Sequence, residues 1–192
     1  MSNENNPFTI SEQQFIHGIK DAIKLDFEVR VKTMPEDIRY YIEKYGILTG
    51  GMSASYFEGN RPNDYDVYFN DSIDIQMLKS EILENYIDMV SDVQSNYLET
   101  LVNGKLVTRS AITFKNGIQF IMMGNSNMRL AFDFIHCMPY YDCRAKTYHI
   151  SKPQFNSLLG KKIKVNPVYV ITNDKSHNKR IQKYTSRGWT VE

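Results

Sequence analysis

The sequence predicts an α+β fold in which helices flank a small mixed β-sheet. Segments with apolar residues at helical spacing alternate with short apolar runs of strand length. An Asn-Gly pair between two of those runs is a strong signal for a β-hairpin. With 192 residues, the chain is expected to form one domain, residues 1–192, because this length is typical of a single domain.

The first two predicted elements are amphipathic helices. The first covers about residues 11–25, where Phe15, Ile19 and Ile23 fall on one face. The second follows Thr33-x-x-Glu36, which predicts a capping box, and ends at Gly46. A short strand over residues 47–49 comes next.

A glycine turn follows this strand. Residues 47–53 read Ile-Leu-Thr-Gly-Gly-Met-Ser, and a short helix is predicted over residues 52–57. Gly50 and Gly51 can present backbone N–H groups in a conformation that other residues avoid, and Ser53 lies close enough for its hydroxyl to contact a phosphate. We therefore expect this turn to bind a polyphosphate. The hydroxyl of Ser53 could equally cap the short helix.

Two aspartates follow on the next predicted strand, residues 64–70. Side chains alternate along a strand, so Asp64 and Asp66 point to the same face, with Cα atoms roughly 6.6 Å apart. Carboxylates on one face beside the glycine turn suit a divalent cation that carries phosphates.

The remaining elements are predicted in order along the chain. A long helix is expected over residues 72–98, then strands 111–115 and 118–123 joined at Asn116-Gly117. A further strand over residues 128–137 contains Asp133. A helix begins at Ser151-x-x-Gln154 and ends at Gly160, and a basic helix covers residues 174–187.

Asp133 interrupts a strongly apolar run, and a buried charge needs a partner. A divalent cation shared with Asp64 and Asp66 is one such partner. Three carboxylates can hold two Mg²⁺ ions about 3.5–4 Å apart, one activating an attacking oxygen and one stabilising the leaving pyrophosphate.

Taken together, these motifs resemble the polymerase-β nucleotidyltransferase superfamily over residues 46–137. The spacing is similar to that of the poly(A) polymerase and CCA-adding branch, which has Gly-Gly, seven residues, Gly, four residues and Asp-x-Asp. This chain has Gly50-Gly51, then Gly59, then Asp64-Tyr65-Asp66 at the same intervals. It departs from that branch at residues 54–56, where Ala-Ser-Tyr replaces the usual Arg-Asp pair.

The resemblance implies a nucleotidyltransferase-like sheet and a Mg²⁺-dependent enzyme, with Mn²⁺ as the alternative ion. An NTP would donate a nucleoside monophosphate to an acceptor hydroxyl on an RNA 3′-end, a protein or a small molecule. Asp64, Asp66 and Asp133 would bind metal and perform catalysis. The expected nucleotide-binding residues are Gly50, Gly51, Ser53, Arg180 and Lys183. A degenerate module that binds a nucleotide or a partner without chemistry is the alternative, and a metal-dependent phosphodiesterase is a third.

The catalytic core is expected at about residues 46–137, followed by a basic helical part at about residues 151–192. From residue 161 onward eight Lys and Arg residues accompany only two acids, which suits phosphate binding or a solvated helix face. Residues 180–184 and 186–189 also resemble nucleotidyltransferase-like proteins of tailed bacteriophages.

Composition supports a globular protein, with 42% hydrophobic and 23% charged residues. The formal net charge of +1 argues against general electrostatic capture of nucleic acid. No apolar run reaches the roughly 18 residues of a membrane span, and the polar first residues show no signal-peptide pattern. We expect a cytoplasmic protein, in the host cytoplasm if a phage encodes it, with no membrane partner.

Overall fold

The computed structural model describes residues 8–69, 73–102, 105–122, 132–169 and 174–192. Helices surround a mixed sheet, so the predicted α+β fold is confirmed. The helices are α1 (Ile10–Val31), α2 (Glu36–Tyr45), α3 (Met52–Phe57), α4 (Ile75–Asn85), α5 (Lys152–Leu159) and α6 (Asp174–Thr185). The strands are β1 (Gly46–Thr49), β2 (Tyr65–Phe69), β3 (Val90–Val102), β4 (Lys105–Phe114), β5 (Ile118–Met122), β6 (Tyr140–Asp142), β7 (Thr147–His149), β8 (Lys162–Ile163) and β9 (Thr190–Val191).

Seven strands form the main sheet in the order β3-β4-β5-β2-β1-β6-β7. The pair β2 and β5 is parallel, and the other pairs are antiparallel. The central strand β2 therefore lies between β1, which leads into the glycine turn, and β5. Strands β8 and β9 form a separate parallel pair.

The two faces of the sheet have separate apolar cores. On β2, Tyr65, Val67 and Phe69 pack into the larger core together with α1, α2 and α4. Tyr68 faces the other core, which includes residues of α6 and the segment after it. Because side chains alternate along a strand, Asp66 lies on the same side as Tyr68.

Local signals account for several helix ends. The predicted capping box of α5 is present, since Ser151 and Gln154 bond each other's backbone, and Gly160 ends this helix. The glycine turn and α3 also lie where the sequence placed them. Gly117 has φ +80° in the turn between β4 and β5, which the Asn-Gly signal predicted.

Two predicted helix features are wrong. The long helix ends at Asn85, a 3₁₀ turn follows, and Val90–Val102 forms β3 (residue 72 lies outside the described residues). This segment contains Val90, Val93 and Val102, β-branched residues that favour strands, and it pairs along β4, so strand pairing overrides its helical spacing. The capping box of α2 is also absent, because the Thr33 hydroxyl donates to the Arg30 carbonyl at 2.7 Å.

Across the described residues, no helix has the length and apolar character needed to cross a membrane.

Candidate active site

A cavity of about 260 Å³ lies beside the glycine turn, and we call it the acidic cavity. All three predicted acids line it, although Asp133 is far from Asp64 and Asp66 in the sequence. It is lined by Gly50, Gly51, Met52, Asp64, Asp66, Tyr68, Phe132, Asp133, Cys137, Ser176, Arg180, Lys183 and Tyr184. The structure therefore brings together seven of the eight residues that the sequence assigned to the site.

Asp66 lies within β2, whereas Asp64 immediately precedes this strand and is exposed. The backbone leading to Asp64 is held by the Arg30 guanidinium. Its Nη1 donates to the carbonyl of Asn63 at 2.8 Å, and its Nη2 donates to the carbonyl of Pro62 at 2.9 Å. Arg30 on α1 thus fixes the approach of the chain to the first acid.

Gly50 must be glycine for two reasons. Its φ of +92° lies in the region that other residues rarely adopt, and a Cβ there would approach Oδ2 of Asp66 to 2.8 Å. The N–H of Gly50 donates to the carbonyl of Cys137 at 3.0 Å, so this donor is already used within the protein. Gly51, which caps α3, also lines the cavity.

The structure does not bring the Ser53 hydroxyl to the acidic cavity. Its side chain is fully buried in α3, and the hydroxyl accepts a hydrogen bond from Tyr148 at 2.9 Å. Burial raises the pKa of Tyr148. The hydrogen bond to Ser53 lowers it by a smaller amount, so the net shift is upward. Because the helix turns Ser53 toward β7, the expected contact between this hydroxyl and a phosphate does not fit the structure.

Asp133 reaches the cavity by a different route from the one predicted. It lies in a bend that precedes an isolated bridge between Phe134 and Val165 and a 3₁₀ turn over Ile135–Cys137, so the strand predicted at this point is wrong. The earlier part of that strand, residues 128–131, lies outside the described residues.

The sequence suggested a divalent cation as the partner of the buried Asp133, but two side chains of α6 take this role in the structure. The Asp133 side chain is 4% exposed, and Oδ2 accepts hydrogen bonds from Nε of Arg180 at 2.6 Å and from Nδ1 of His177 at 3.1 Å. Burial lowers the pKa of Arg180, but the charge and hydrogen bond of Asp133 outweigh burial and raise it. A protein ion pair therefore compensates the buried carboxylate.

His177 was missed by sequence reasoning. It lies one helical turn before Arg180 on α6, at a spacing that puts both side chains on one face. That spacing was visible in the sequence, but nothing local linked this face to Asp133. The contact depends on how α6 packs against the bend.

Lys183 and Arg180, the two cations that the sequence analysis expects to bind a nucleotide, both line the acidic cavity. Lys183 also lines an adjoining cavity of about 460 Å³, together with Asn60, Arg61 and Arg187. Arg187 is paired with Glu58. The two cavities share Gly51, Asp64 and Lys183, so a polar surface with several cations continues from the acids.

A divalent ion fits part of this donor set. Mg²⁺ is usually bound through one or two carboxylates together with substrate phosphates, and Asp64 and Asp66 supply two carboxylates. Within the described ranges, no group of three His, Cys, Asp or Glu residues is arranged to hold a metal ion. The arrangement thus suits an ion that arrives with a nucleotide better than a preformed centre of three acids.

Comparison with known families gives a match over most of the chain. A family profile described as "Gad2: Gabija anti-defense 2 family protein" matches residues 21–161 of this chain. No curated protein sequence matches the chain.

Solved structures of tRNA nucleotidyltransferases share the fold. The Thermotoga maritima CCA-adding enzyme complexed with tRNA has a TM-score of 0.52 at 10% identity, covering 86% of this chain and 42% of that chain. A structure described as a tRNA-processing enzyme has a TM-score of 0.52 at 15% identity, covering 83% of this chain and 45% of that chain. A tRNA nucleotidyltransferase complexed with a primer tRNA and an incoming ATP analog has a TM-score of 0.50 at 13% identity. The match covers 77% of this chain and 43% of that chain.

These likenesses confirm the predicted nucleotidyltransferase-like fold. The present chain spans less than half the length of the proteins that it matches.

Proposed function

The chain belongs to the Gabija anti-defense 2 family, and we propose that it is a Mg²⁺-dependent nucleotidyltransferase of the polymerase-β superfamily. In this proposal a nucleoside monophosphate passes from an NTP to an acceptor hydroxyl, and pyrophosphate is released. The acidic cavity carries the proposal, because three carboxylates and two cations line it beside a glycine turn in a nucleotidyltransferase-like fold.

Asp64 and Asp66 bind the divalent ion in this scheme. When bound, the ion neutralises phosphate charge and activates the acceptor oxygen. Gly50 forms the bend that lets Asp66 approach the turn, and Gly51 leaves room for phosphates beside the two acids. Catalysis would come mainly from positioning and from charge neutralisation.

Arg180 and Lys183 bind the β- and γ-phosphates. Nε of Arg180 is taken by Asp133, and Nη1 donates to Ser176 at 3.0 Å. A guanidinium has five N–H donors, so Arg180 keeps donors for a phosphate while it holds Asp133. Lys183 is exposed and adds a second positive charge at the junction of the two cavities.

Asp133 accepts the proton of the acceptor hydroxyl. Both side-chain hydrogen bonds that it receives from described residues go to Oδ2, which leaves Oδ1 as the oxygen for this proton. Arg180 and His177 fix the carboxylate in position, and a positioned base raises the rate of such a transfer. The Ser53 hydroxyl has no part in this scheme.

The acceptor is an RNA 3′-end, a protein hydroxyl or a small molecule. The cations of the adjoining cavity suit an acceptor that carries phosphates. The family name links its members to an anti-defense role against Gabija. We propose that this chain has the same role and acts in the cytoplasm. A component of Gabija is therefore among the candidate protein acceptors.

The test uses each α-labelled NTP with Mg²⁺, or Mn²⁺, and an extract that contains Gabija or lacks it. We expect label to enter one acceptor and pyrophosphate to appear. The double variant Asp64→Asn/Asp66→Asn should lower both readouts by at least about 100-fold, the scale on which loss of a charge-stabilising group acts. Asp88→Asn removes an exposed acid that does not line either cavity and serves as the matched control. Unchanged incorporation in the double variant would refute the proposal.

One observation favours a second candidate function. Asp133 is already paired with Arg180 and His177, as in a site that binds a nucleotide or a partner without chemistry. Calorimetry with each NTP, with and without Mg²⁺, separates the two. Tight binding that needs no metal and gives no pyrophosphate supports this candidate, whereas metal-dependent binding with turnover supports the enzyme.

A further inference from the structure

A second cavity, of about 280 Å³, lies on the opposite face of the sheet from the three acids. We call it the back cavity. It is formed by α1, α2 and the end of β6 with the turn that follows, and its lining includes Phe27, Ile42 and Tyr141. These residues belong to the same core as Tyr65 and Val67, which point away from Asp66 on β2.

The floor of the back cavity is apolar. Phe27 and Tyr141 are each 3% exposed, and Ile42 is fully buried. Ligand pockets are lined mainly by such side chains, with a few polar groups that fix the orientation of the ligand. The floor therefore suits an apolar ring or chain.

The rim of the back cavity is positively charged. Lys24 comes from α1, Lys32 caps the C-terminus of that helix, Arg39 comes from α2, and Lys146 follows β6. The acids at this rim are Glu28, which is 3.6 Å from Lys146, and Glu43. Four cations against two acids leave an excess of positive charge.

Arg39 supplies an independent observation. Its Nε is buried and has no hydrogen-bond partner among the described residues. Within the same part of the chain, neither Arg39 nor Lys24 nor Lys32 forms an ion pair. Because Nε is covered by protein atoms, an anion in the cavity would meet the Nη groups of Arg39 and not Nε. Such an anion would compensate the charge of a guanidinium that has no ion-pair partner among the described residues.

We propose that the back cavity binds a small organic phosphate, with its phosphate at Arg39 and its apolar body on Phe27 and Tyr141. A phosphate monoester carries a charge of about −1.5 to −2 at neutral pH, which matches the excess of positive charge at the rim. The planar guanidinium of Arg39 suits phosphate oxygens. The cavity volume lies near the lower end for ligand pockets, so the ligand is small. This site is independent of the acidic cavity and of the activity proposed for it.

The experiment titrates the ¹⁵N-labelled full chain with phenyl phosphate and follows the NMR signals of individual groups. We expect saturable shifts of the Arg39 guanidinium signals and of the backbone amide of Lys32. The amide of Lys183 reports separately on binding at the acidic cavity. Benzoate tests whether a carboxylate suffices, and benzyl alcohol tests the ring alone. We expect weaker binding of benzoate and no saturation with benzyl alcohol.

Variants then assign the binding to the rim. Arg39→Gln should weaken phenyl phosphate binding by about tenfold or more, the effect of losing a charge-assisted hydrogen bond. Lys32→Gln should weaken it less, and because Lys32 is exposed this variant keeps the fold. Lys44→Gln removes an exposed cation from the same helix as Arg39 but outside the cavity, and should leave binding unchanged.

Two results would overturn the proposal. One is the absence of saturable shifts at Arg39 and Lys32 in the parent protein. The other is equal binding in Arg39→Gln, Lys32→Gln and Lys44→Gln, which would show that the rim charges do not hold the ligand. If Arg39→Gln does not fold, the comparison of Lys32→Gln with Lys44→Gln decides.

Discussion

The two halves of the acidic cavity are built in different ways. One half comes from a continuous segment, in which Gly50 bends the chain and Asp64 and Asp66 follow at the start of β2. The other half comes from Asp133, in a bend, and from Arg180 and His177 on α6. Both halves contribute acids to one cavity, but only the first is local in sequence.

The difference lies in how each carboxylate is stabilised. Asp64 is exposed to water, whereas Asp133 is buried and depends on protein partners. A buried charge is stable only when it is paired and hydrogen-bonded. The position of the third acid therefore depends on α6, and disturbing α6 should affect this half more than the other.

The largest effect is expected from Arg180→Met. This variant leaves Asp133 buried with His177 as its remaining described partner and should lower the free energy of unfolding by about 2–3 kcal/mol. The value lies at or below about 3 kcal/mol, the low end for buried pairs, because the Arg180 side chain is 29% exposed. Urea unfolding measures it.

A double-mutant cycle sharpens this first prediction. Asp133→Asn combined with Arg180→Met removes both charges and should recover part of the lost stability. Lys179→Met, an exposed neighbour on α6, is the control and should have little effect. Equal losses in Arg180→Met and Lys179→Met would mean that the ion pair does not stabilise this half.

A second effect concerns pH and the segment that carries Asp133. His136 is fully buried against Phe134, Tyr184 and Trp189, and neither ring nitrogen has a hydrogen-bond partner among the described residues. Burial, and to a smaller extent the charge of Arg187, lowers the pKa of His136 to about 3. The unfolded chain binds this proton near pH 6.5, roughly the ordinary value for histidine.

Stability from His136 is therefore fully present above about pH 6.5 and is lost as the pH falls toward 3. The free energy of unfolding should decrease by about 2 kcal/mol between pH 7 and pH 5 because of this residue. Unfolding in urea across that range measures the slope, and His136→Leu should flatten it. The same slope in both proteins would contradict the prediction.

The smallest effect is expected in the local half, from Gly50→Ala. Gly50 has a φ of +92°, and an alanine held at this angle should lower the free energy of unfolding by about 1–2 kcal/mol. The added Cβ would also displace the carboxylate of Asp66. Gly59→Ala is the matched control, since Gly59 has φ +77° and open space around it. The difference in thermal unfolding between the two variants isolates the contact with Asp66, and no difference would show that the carboxylate moves freely.

Residues 46–69 show how far sequence reasoning reached. Each element here depends on neighbours in the chain, so β1, the glycine turn, α3 and β2 were predictable. The same holds for α5, because Ser151 and Gln154 cap it locally. Residues 90–102 show the opposite case. Their apolar spacing fits a helix, but pairing with the distant strand β4 decides their structure.

The sequence by itself determined the α+β fold, the glycine turn and the pair of acids at β2, because turn geometry and strand alternation act over a few residues. Only the tertiary structure decided that Asp133 meets Arg180 and His177, that Ser53 turns toward Tyr148, and that cations gather around Arg39 at the back cavity. These contacts join residues from distant elements, and which partners meet depends on how whole helices pack against the sheet.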